Sequence, residues 1–434
     1  MEISSLYHLF QQHPLVTTDS RNCPAGSIFF ALKGASFDGN TFAAKALEQG
    51  CAYAVIDDAR YASAQDSRLI LVDDCLATLQ QLARYHRQQL GTRIIGITGT
   101  NGKTTTKELV ATVLAKKYRV LYTQGNLNNH IGVPLTLLRL TAEHDIAVVE
   151  MGANHPGEID QLVHIVEPDY GLITNVGKAH LEGFGTFEEV IHTKTALYRY
   201  LRTKPDSVVF IHHDNQYLMA QADGLNLVSY GLTDTRQVLH VNGEVIECAP
   251  TLTFHWRVGT AEWHPVATRL IGAYNIDNML AAAAVGIYFG VTPQQVDEAL
   301  SAYTPQNNRS QLKVTADNSL IVDAYNANPT SMMAALANFR TMKVSPKMAI
   351  LGDMKELGAV SAEEHQRIVD YLREAAFDAV WLVGDNFRAT DSPFRHFANA
   401  DEVRQAIEAE KPHGYYILIK GSNSMRLAPL ADLL

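Results

Sequence analysis

Three α/β units in one chain, built on parallel sheets, are what this sequence predicts, and three features predict it. The length of 434 residues is too great for a single hydrophobic core and suggests about three domains. Short apolar runs alternate with helical stretches, most regularly after residue 304, and that rhythm makes βαβ crossovers. In the middle stands Arg93-Ile-Ile-Gly-Ile-Thr-Gly-Thr-Asn-Gly-Lys-Thr-Thr-Thr-Lys107, an apolar run, a glycine turn and the start of a helix. The expected units are 1–88, 89–303 and 304–434, joined by short connections near 89–92 and 304–308.

In the first unit, Ser27–Leu32, Ala52–Ile56 and Leu69–Val72 read as strands, with helices near Thr41–Gln49 and Leu76–Gln88. The loops Thr18-Asp-Ser-Arg21 and Phe37-Asp-Gly-Asn40 read first as turns, with Ser20 and Arg21 as polar groups available to a ligand.

The second unit begins with the central stretch, whose helix should run to about Ala115. A strand, a glycine turn and a helix N-terminus make an anion cradle. Backbone N–H groups point at a phosphate, the helix dipole favours its charge, and Lys103 reaches the terminal phosphates. Thr104 stands where a P-loop hydroxyl holds Mg²⁺. The spacing departs from G-x-x-x-x-G-K-[ST], with Ile97 at the first glycine position and Gly96 one residue early.

Val120–Thr123 then leads into Gln124-Gly-Asn-Leu-Asn-Asn-His-Ile-Gly-Val-Pro134, where Asn126, Asn128 and Asn129 serve either a polar substrate or their own turns. The strand Ile146–Val149 ends on Glu150. A carboxylate there faces the crevice in which α/β sheets bind ligands, either as an Mg²⁺ holder or as one end of a salt bridge. A third strand, Tyr170–Thr174, delivers His180 just beyond its end, so three strands bring Lys103, Glu150 and His180 to one sheet edge. Lys194 lies in an expected helix, Phe187–Leu201, where spacing alone makes it a solvated lysine. Further strands are expected at Val208–Ile211, Val238–Val241 and Leu252–Trp256. Asn275 and Asn278, three apart at a helix start, share one face and either cap the helix or read a base.

The third unit has expected strands at Ser319–Val322, Lys347–Leu351, Val380–Val383 and Tyr415–Ile419, with helices near Ser331–Arg340, Ala362–Ala376 and Asp401–Glu410. Its polar positions, including Asp323, Asp353 and Lys420-Gly-Ser-Asn423, fall at strand ends.

Composition narrows the function. Hydrophobic residues at 47% and charged residues at 19% are globular proportions. A net charge of −10 argues against nucleic acid as a partner. Cys23, Cys51, Cys75 and Cys248 form no C-x-x-C pair, which suits a reducing compartment without disulfides. No apolar run approaches the roughly 18 residues of a membrane helix, and no leader pattern opens the chain, so a cytoplasmic protein without membrane insertion is expected.

Taken together, Asp19-Ser-Arg21, Phe29-Phe-Ala-Leu-Lys-Gly34, Thr98-Gly-Thr-Asn-Gly-Lys-Thr104, Gly125-Asn-Leu-Asn-Asn129, Gly132-Val-Pro134, Glu150-Met-Gly152, Asn275-Ile-Asp-Asn278, Asp323-Ala-Tyr-Asn-Ala-Asn-Pro329, Leu351-Gly-Asp-Met-Lys-Glu-Leu-Gly358 and Lys420-Gly-Ser422 resemble the Mur ligase family over essentially the whole chain. That family's loop has the same unusual glycine spacing. The resemblance implies a central P-loop ATPase domain with a parallel sheet, flanked by an N-terminal α/β domain for a UDP-linked substrate and a C-terminal Rossmann-like domain. Asp323–Pro329 resembles the branch that adds D-alanyl-D-alanine.

The implied activity is ATP-dependent amide formation between UDP-N-acetylmuramoyl-tripeptide and D-alanyl-D-alanine through an acyl phosphate. This is the last cytoplasmic step toward the peptidoglycan precursor, and the chain is expected to act as a monomer. By the same resemblance, Gly99, Thr100, Asn101, Gly102, Lys103, Thr104 and Thr105 cradle ATP, Asn275 and Asn278 contact adenine, and Arg309 and Asp323 clamp the nucleotide from the third unit. Ser20 and Arg21 hold the UDP end with Asn126, Asn128 and Asn129, while Tyr325, Asn326 and Asn328 face substrate. Mg²⁺ is held by Thr104 and Glu150, and a second ion by His180 and by Lys194, which matches the family's carbamylated lysine. Two departures stand out. Asn308 precedes Arg309 where the family has glycine, and Asn423 replaces a frequent arginine and receives no role.

Overall fold

The computed structural model describes residues 2–232, 238–305 and 309–434. Its first sheet is parallel throughout, in the order Val16–Thr17, Ile28–Phe30, Tyr53–Ile56, Leu69–Leu71. The three expected strands are present but shorter. The strand Val16–Thr17 and the helix Ile3–Gln12 lie outside the expected elements. Two residues of strand exist only because Ile28 and Phe29 pair with them, which no local pattern announces.

The helix Cys75–Leu90 is capped by Asp74, whose carboxylate accepts from the N–H of Ala77 at 2.7 Å, and ends at Gly91 in the left-handed region. The expected boundary at residue 88 therefore falls inside its last turn. Arg84 and Arg87 on this helix reach across to Glu167 and Asp169 of the middle unit. The core of the first unit also runs without a break into one face of the middle sheet.

That middle sheet has nine strands, in the order His264–Ile271, Thr251–Val258, Val241–Cys248, Leu227–Leu232, Val208–His212, Tyr170–Ile173, Arg93–Thr98, Ile146–Glu150, Val120–Tyr122. Pairing is parallel except for the two ladders that join the first three strands named. Along Arg93–Thr98 successive side chains enter opposite cores. Ile94 joins the cluster shared with the first unit, while Ile95 and Ile97 pack under the helices Lys103–Leu114 and Ile276–Tyr288. Burial on both faces explains why this strand reads as a continuous apolar run.

One expected strand is misplaced. Residues 238–240 are irregular and the strand is Val241–Cys248, buried over its first three residues and exposed from Glu244 to Glu247, where polar and apolar residues mix. The expected helix Phe187–Leu201 is two, Phe187–Lys194 and Ala196–Leu201, broken at Thr195.

The third sheet runs Gln311–Val314, Ser319–Asp323, Tyr416–Lys420, Lys347–Gly352, Ala379–Val383, Arg395–Phe397, parallel except for its first, edge pair. The helices Pro329–Thr341, Ser361–Ala375 and Ala400–Ala409 match expectation to within a few residues. Asn308 lies outside the described residues. Among those described, no helix is long and apolar enough to cross a membrane, and Cys23, Cys51, Cys75 and Cys248 are all free.

Candidate functional site

The carboxyl ends of the middle strands open into a cleft of about 600 Å³ closed on its far side by the third unit. Gly99 and Gly102 shape its floor, with φ of +140° and +78°. A Cβ on Gly99 would lie 2.0 Å from Thr174 Oγ1, and one on Gly102 would lie 2.7 Å from Asn278 Oδ1, so both the backbone angle and the close packing require glycine. The early glycine is explained too. Gly96 belongs to the strand, where a Cβ would meet Met151 at 2.8 Å, while Ile97 is a core residue. The turn itself is braced by Asn175, whose Oδ1 accepts the N–H of Asn101 at 3.0 Å, and by Thr174 Oγ1, which donates to Asn101 O at 2.6 Å.

Lys103 opens the helix Lys103–Leu114, and its Nζ donates to the carbonyls of Gly99 and Thr100, both at 2.9 Å. Burial lowers its ammonium to about 8, with Glu150 pulling upward and Arg309 adding to the fall. Thr104 Oγ1 donates to Glu150 Oε1 at 3.2 Å, and Asn128 Nδ2 donates to the same oxygen at 2.8 Å. Glu150 Oε2 is buried with no hydrogen-bond partner, and the fully buried Lys107 ammonium lies 3.8 Å from it.

An unsatisfied carboxylate oxygen beside a threonine hydroxyl is a hard-oxygen donor set that fits Mg²⁺. Among the described residues no group of three or more His, Cys, Asp or Glu could hold an ion, so the set is sparse, as it is where phosphate and water oxygens complete the shell.

His180 lines the cleft, and its Nδ1 is hydrogen-bonded to the carboxylate of Glu356 from the third unit. Burial holds the imidazole below its ordinary value; Glu356 opposes this, and the charges of Lys103 and Lys194 reinforce it. Lys194 is not the solvated lysine that its spacing suggests. It is 2% exposed, it donates to Ala153 O at 3.1 Å, and burial together with the charge of Lys103 lowers its ammonium well below the ordinary range against the pull of Glu158.

The asparagines divide their work. Asn128 serves Glu150, while Asn129 Oδ1 accepts the N–H groups of Ile131 and Gly132 at 3.1 and 2.8 Å, a turn role, and Asn126 lines the cleft. Asn278 Nδ2 donates to Asn275 Oδ1 at 2.8 Å and its own Oδ1 accepts from Thr106 Oγ1 at 2.9 Å, tying this pair to the cradle helix. From the third unit, Lys420 Nζ meets Asp323 Oδ2 at 2.6 Å, and the Arg309 guanidinium stacks 3.9 Å over the Tyr325 ring. Tyr325 and Asn326 line the cleft. Asn328 caps the helix Pro329–Thr341 and donates to Asn101 Oδ1 at 2.7 Å, joining the two units.

Ser20 and Arg21 are not among the cleft residues. Arg21 is largely exposed and pairs with Asp19 at 2.9 Å. Sequence reasoning missed Thr174, Asn175, Lys107 and Glu356. Lys107 had a signal, its place one turn after Lys103; Glu356 lies in the Leu351–Gly358 stretch, but nothing local pairs it with a histidine 176 residues away.

A lysine-bearing glycine turn at a sheet's carboxyl edge, with a hydroxyl and a carboxylate beside it, defines a P-loop nucleotide-binding unit. Family models match in chain order: "Mur ligase family, catalytic domain" over 14–87, "Mur ligase middle domain" over 97–286 and "Mur ligase, glutamate ligase domain" over 308–423. The chain belongs to the Mur ligase family. It is 35% identical over 423 residues to the UDP-N-acetylmuramoyl-tripeptide--D-alanyl-D-alanine ligase of Bacillus subtilis, covering 95% of this chain and 91% of that one. A crystal structure of MurF from Acinetobacter baumannii superposes with a TM-score of 0.86 at 30% identity, covering 96% of this chain and 92% of that one. MurF ligase from Thermotoga maritima in complex with ADP gives 0.85 at 25% identity, covering 96% of each.

Proposed function

We propose that this chain joins D-alanyl-D-alanine to UDP-N-acetylmuramoyl-tripeptide with cleavage of ATP to ADP. The observation that carries the reading is the convergence of Lys103, Glu150 and the Lys420–Asp323 pair on one cleft between two sheets. Its relatives' names supply the substrates.

A carboxylate is a poor electrophile, so its oxygen first bonds to the γ-phosphorus of ATP while the bond to ADP breaks. The amine of the dipeptide then attacks the acyl carbon and inorganic phosphate leaves with the bonding pair. Two anions meet in the first step, and most of the catalysis is positioning and charge stabilisation. Lys103 Nζ leaves Gly99 O and Thr100 O for the phosphates, and the N–H groups of 99–105 surround them. Thr104 and Glu150 would hold an Mg²⁺, which would supply neutralising charge to the phosphates; His180 would hold a second. Lys194, whose burial disfavours the ammonium, is suited to take up CO₂ as a carbamate with release of a proton, which would make it an anion able to help hold that second ion.

Asn275 and Asn278 are assigned to adenine, Arg309 and Asp323 to the nucleotide's other side, and Tyr325, Asn326 and Asn328 to the incoming peptide groups. Ser20, Arg21, Asn126, Asn128 and Asn129 are assigned to the UDP-linked substrate. The proposed units are 1–88, 89–303 and 304–434, acting as a monomer in the cytoplasm, where ATP is at hand and the four cysteines stay reduced.

An ADP-release assay tests this. D-Alanyl-D-alanine should be the productive amine with a UDP-linked tripeptide, and equal turnover with glutamate or a diamino acid would overturn the substrate assignment.

A further inference from the structure

His180 follows the strand Tyr170–Ile173 in the left-handed region, at φ 52°, and its Nδ1 meets a carboxylate from the third unit. That carboxylate belongs to Glu356, itself left-handed at φ 63°. Side chains with a Cβ avoid this region, so both backbones are held by what surrounds them. The surroundings form a small interface between the two units. The N–H of Glu182 donates to Glu356 O at 3.3 Å, and Lys178 Nζ lies 3.8 Å from Glu364 Oε1. Gly358, with φ +56°, packs against this seam: a Cβ on it would make ordinary contact, at 3.4 Å, with Glu182 Cα.

We infer that Glu356 is the positioning residue of His180: its carboxylate accepts the Nδ1–H across the unit interface, fixes that tautomer and leaves Nε2 as the free lone pair on a ring that lines the cleft. A neutral imidazole carries one N–H, and a carboxylate at one nitrogen decides which. Histidines that hold metals are commonly oriented in this way. Because Glu356 comes from the third unit, the ring is set only when that unit is docked. The Glu182 and Lys178 contacts contribute docking without touching the ring. The inference rests on the reading of His180 as a group of the reaction centre.

The test uses the full chain labelled with ¹⁵N-histidine. Two-bond ¹H–¹⁵N correlations report each ring's tautomer, and the His180 signals are those lost in His180→Gln. Wild type should show the Nδ1–H form. Glu356→Ala should lose it, and Glu356→Gln, which keeps an acceptor oxygen, should retain it. Turnover in Glu356→Ala should fall by about 10- to 100-fold, with the KM for ATP within about threefold and partial recovery in Glu356→Gln. Lys178→Ala, which removes a peripheral ion pair of the interface and no contact to the ring, should leave the third unit docked and the tautomer unchanged.

An unchanged His180 tautomer or wild-type turnover in Glu356→Ala would overturn the inference. So would loss of the tautomer in a Glu356→Gln variant of wild-type Tm. If His180→Gln itself turns over normally, the reaction-centre reading falls; if His180→Gln is inactive and Glu356→Ala is normal, only the role of Glu356 falls.

Discussion

In the proposed reaction the charges of Lys103 and Lys194 matter in opposite ways. Lys103 must be a cation when the phosphates arrive, although burial has brought it to about 8. Removing it should cut kcat by about 10²–10³-fold, the order lost when one preorganised donor to a developing charge is deleted. A steady-state assay of Lys103→Ala decides, and activity within threefold of wild type would take the residue out of the mechanism. Lys194, in the same proposal, acts only when it is not a cation. With its amine 2% exposed and lowered well below the ordinary range, it is ready to form a carbamate. Lys194→Ala should be nearly inactive and partly restored by short carboxylic acids, which replace the missing anion; full activity without rescue would exclude the carbamate. Lys103 was legible from its place after the glycine turn. The burial of Lys194 was not, because helix spacing says nothing of what packs over a helix.

The strand–turn–helix from Arg93 to Leu114 works as one element, and its glycines are its weakest points. Gly99 accepts no Cβ, since Thr174 Oγ1 stands 2.0 Å from where one would be, and that hydroxyl in turn holds Asn101 O. Gly99→Ala should therefore displace the turn, lower Tm and weaken nucleotide binding tenfold or more. Calorimetric titration with ADP gives the answer, and unchanged affinity would show that the turn tolerates the shift. The element's existence and its helix were plain from the alternation of apolar run, glycines and hydroxyls. The misplaced strand near 238 had no such punctuation. Its pairing with Thr251–Val258 sets where it begins, and a half-exposed antiparallel strand carries polar residues that blur the pattern.

At the scale of the molecule, the first unit is bound to the middle one through the helix Cys75–Leu90. Its His86 lies buried, with Nε2 donating to Leu140 O at 2.9 Å and Nδ1 facing Tyr7 OH at 3.2 Å. Burial lowers the imidazole below its ordinary 6.5, with the Leu140 carbonyl pulling the other way. Between the folded and unfolded values the unfolded chain binds the extra proton, so stability rises with pH there. The stabilisation is present above about 6.5 and is lost as pH falls through the folded value. Wild-type Tm should therefore drop between pH 7 and pH 5 more than that of His86→Gln. Parallel melting curves would show otherwise. The expected division into three units was readable from length and rhythm, while the seam between the first two was not: they share one continuous core.

By itself the sequence determined the strand ends and turns that carry Lys103, Thr104 and Glu150, because local chemistry sets them: glycine for left-handed turns, apolar runs for buried strands, hydroxyls at a helix start. Tertiary structure alone decided that Lys194 is buried beside Ala153 O, that Asn128 serves Glu150, and that Glu356 meets His180. Those contacts join residues far apart in the chain, and only the packing of one sheet's edge against another brings their charges close enough to act.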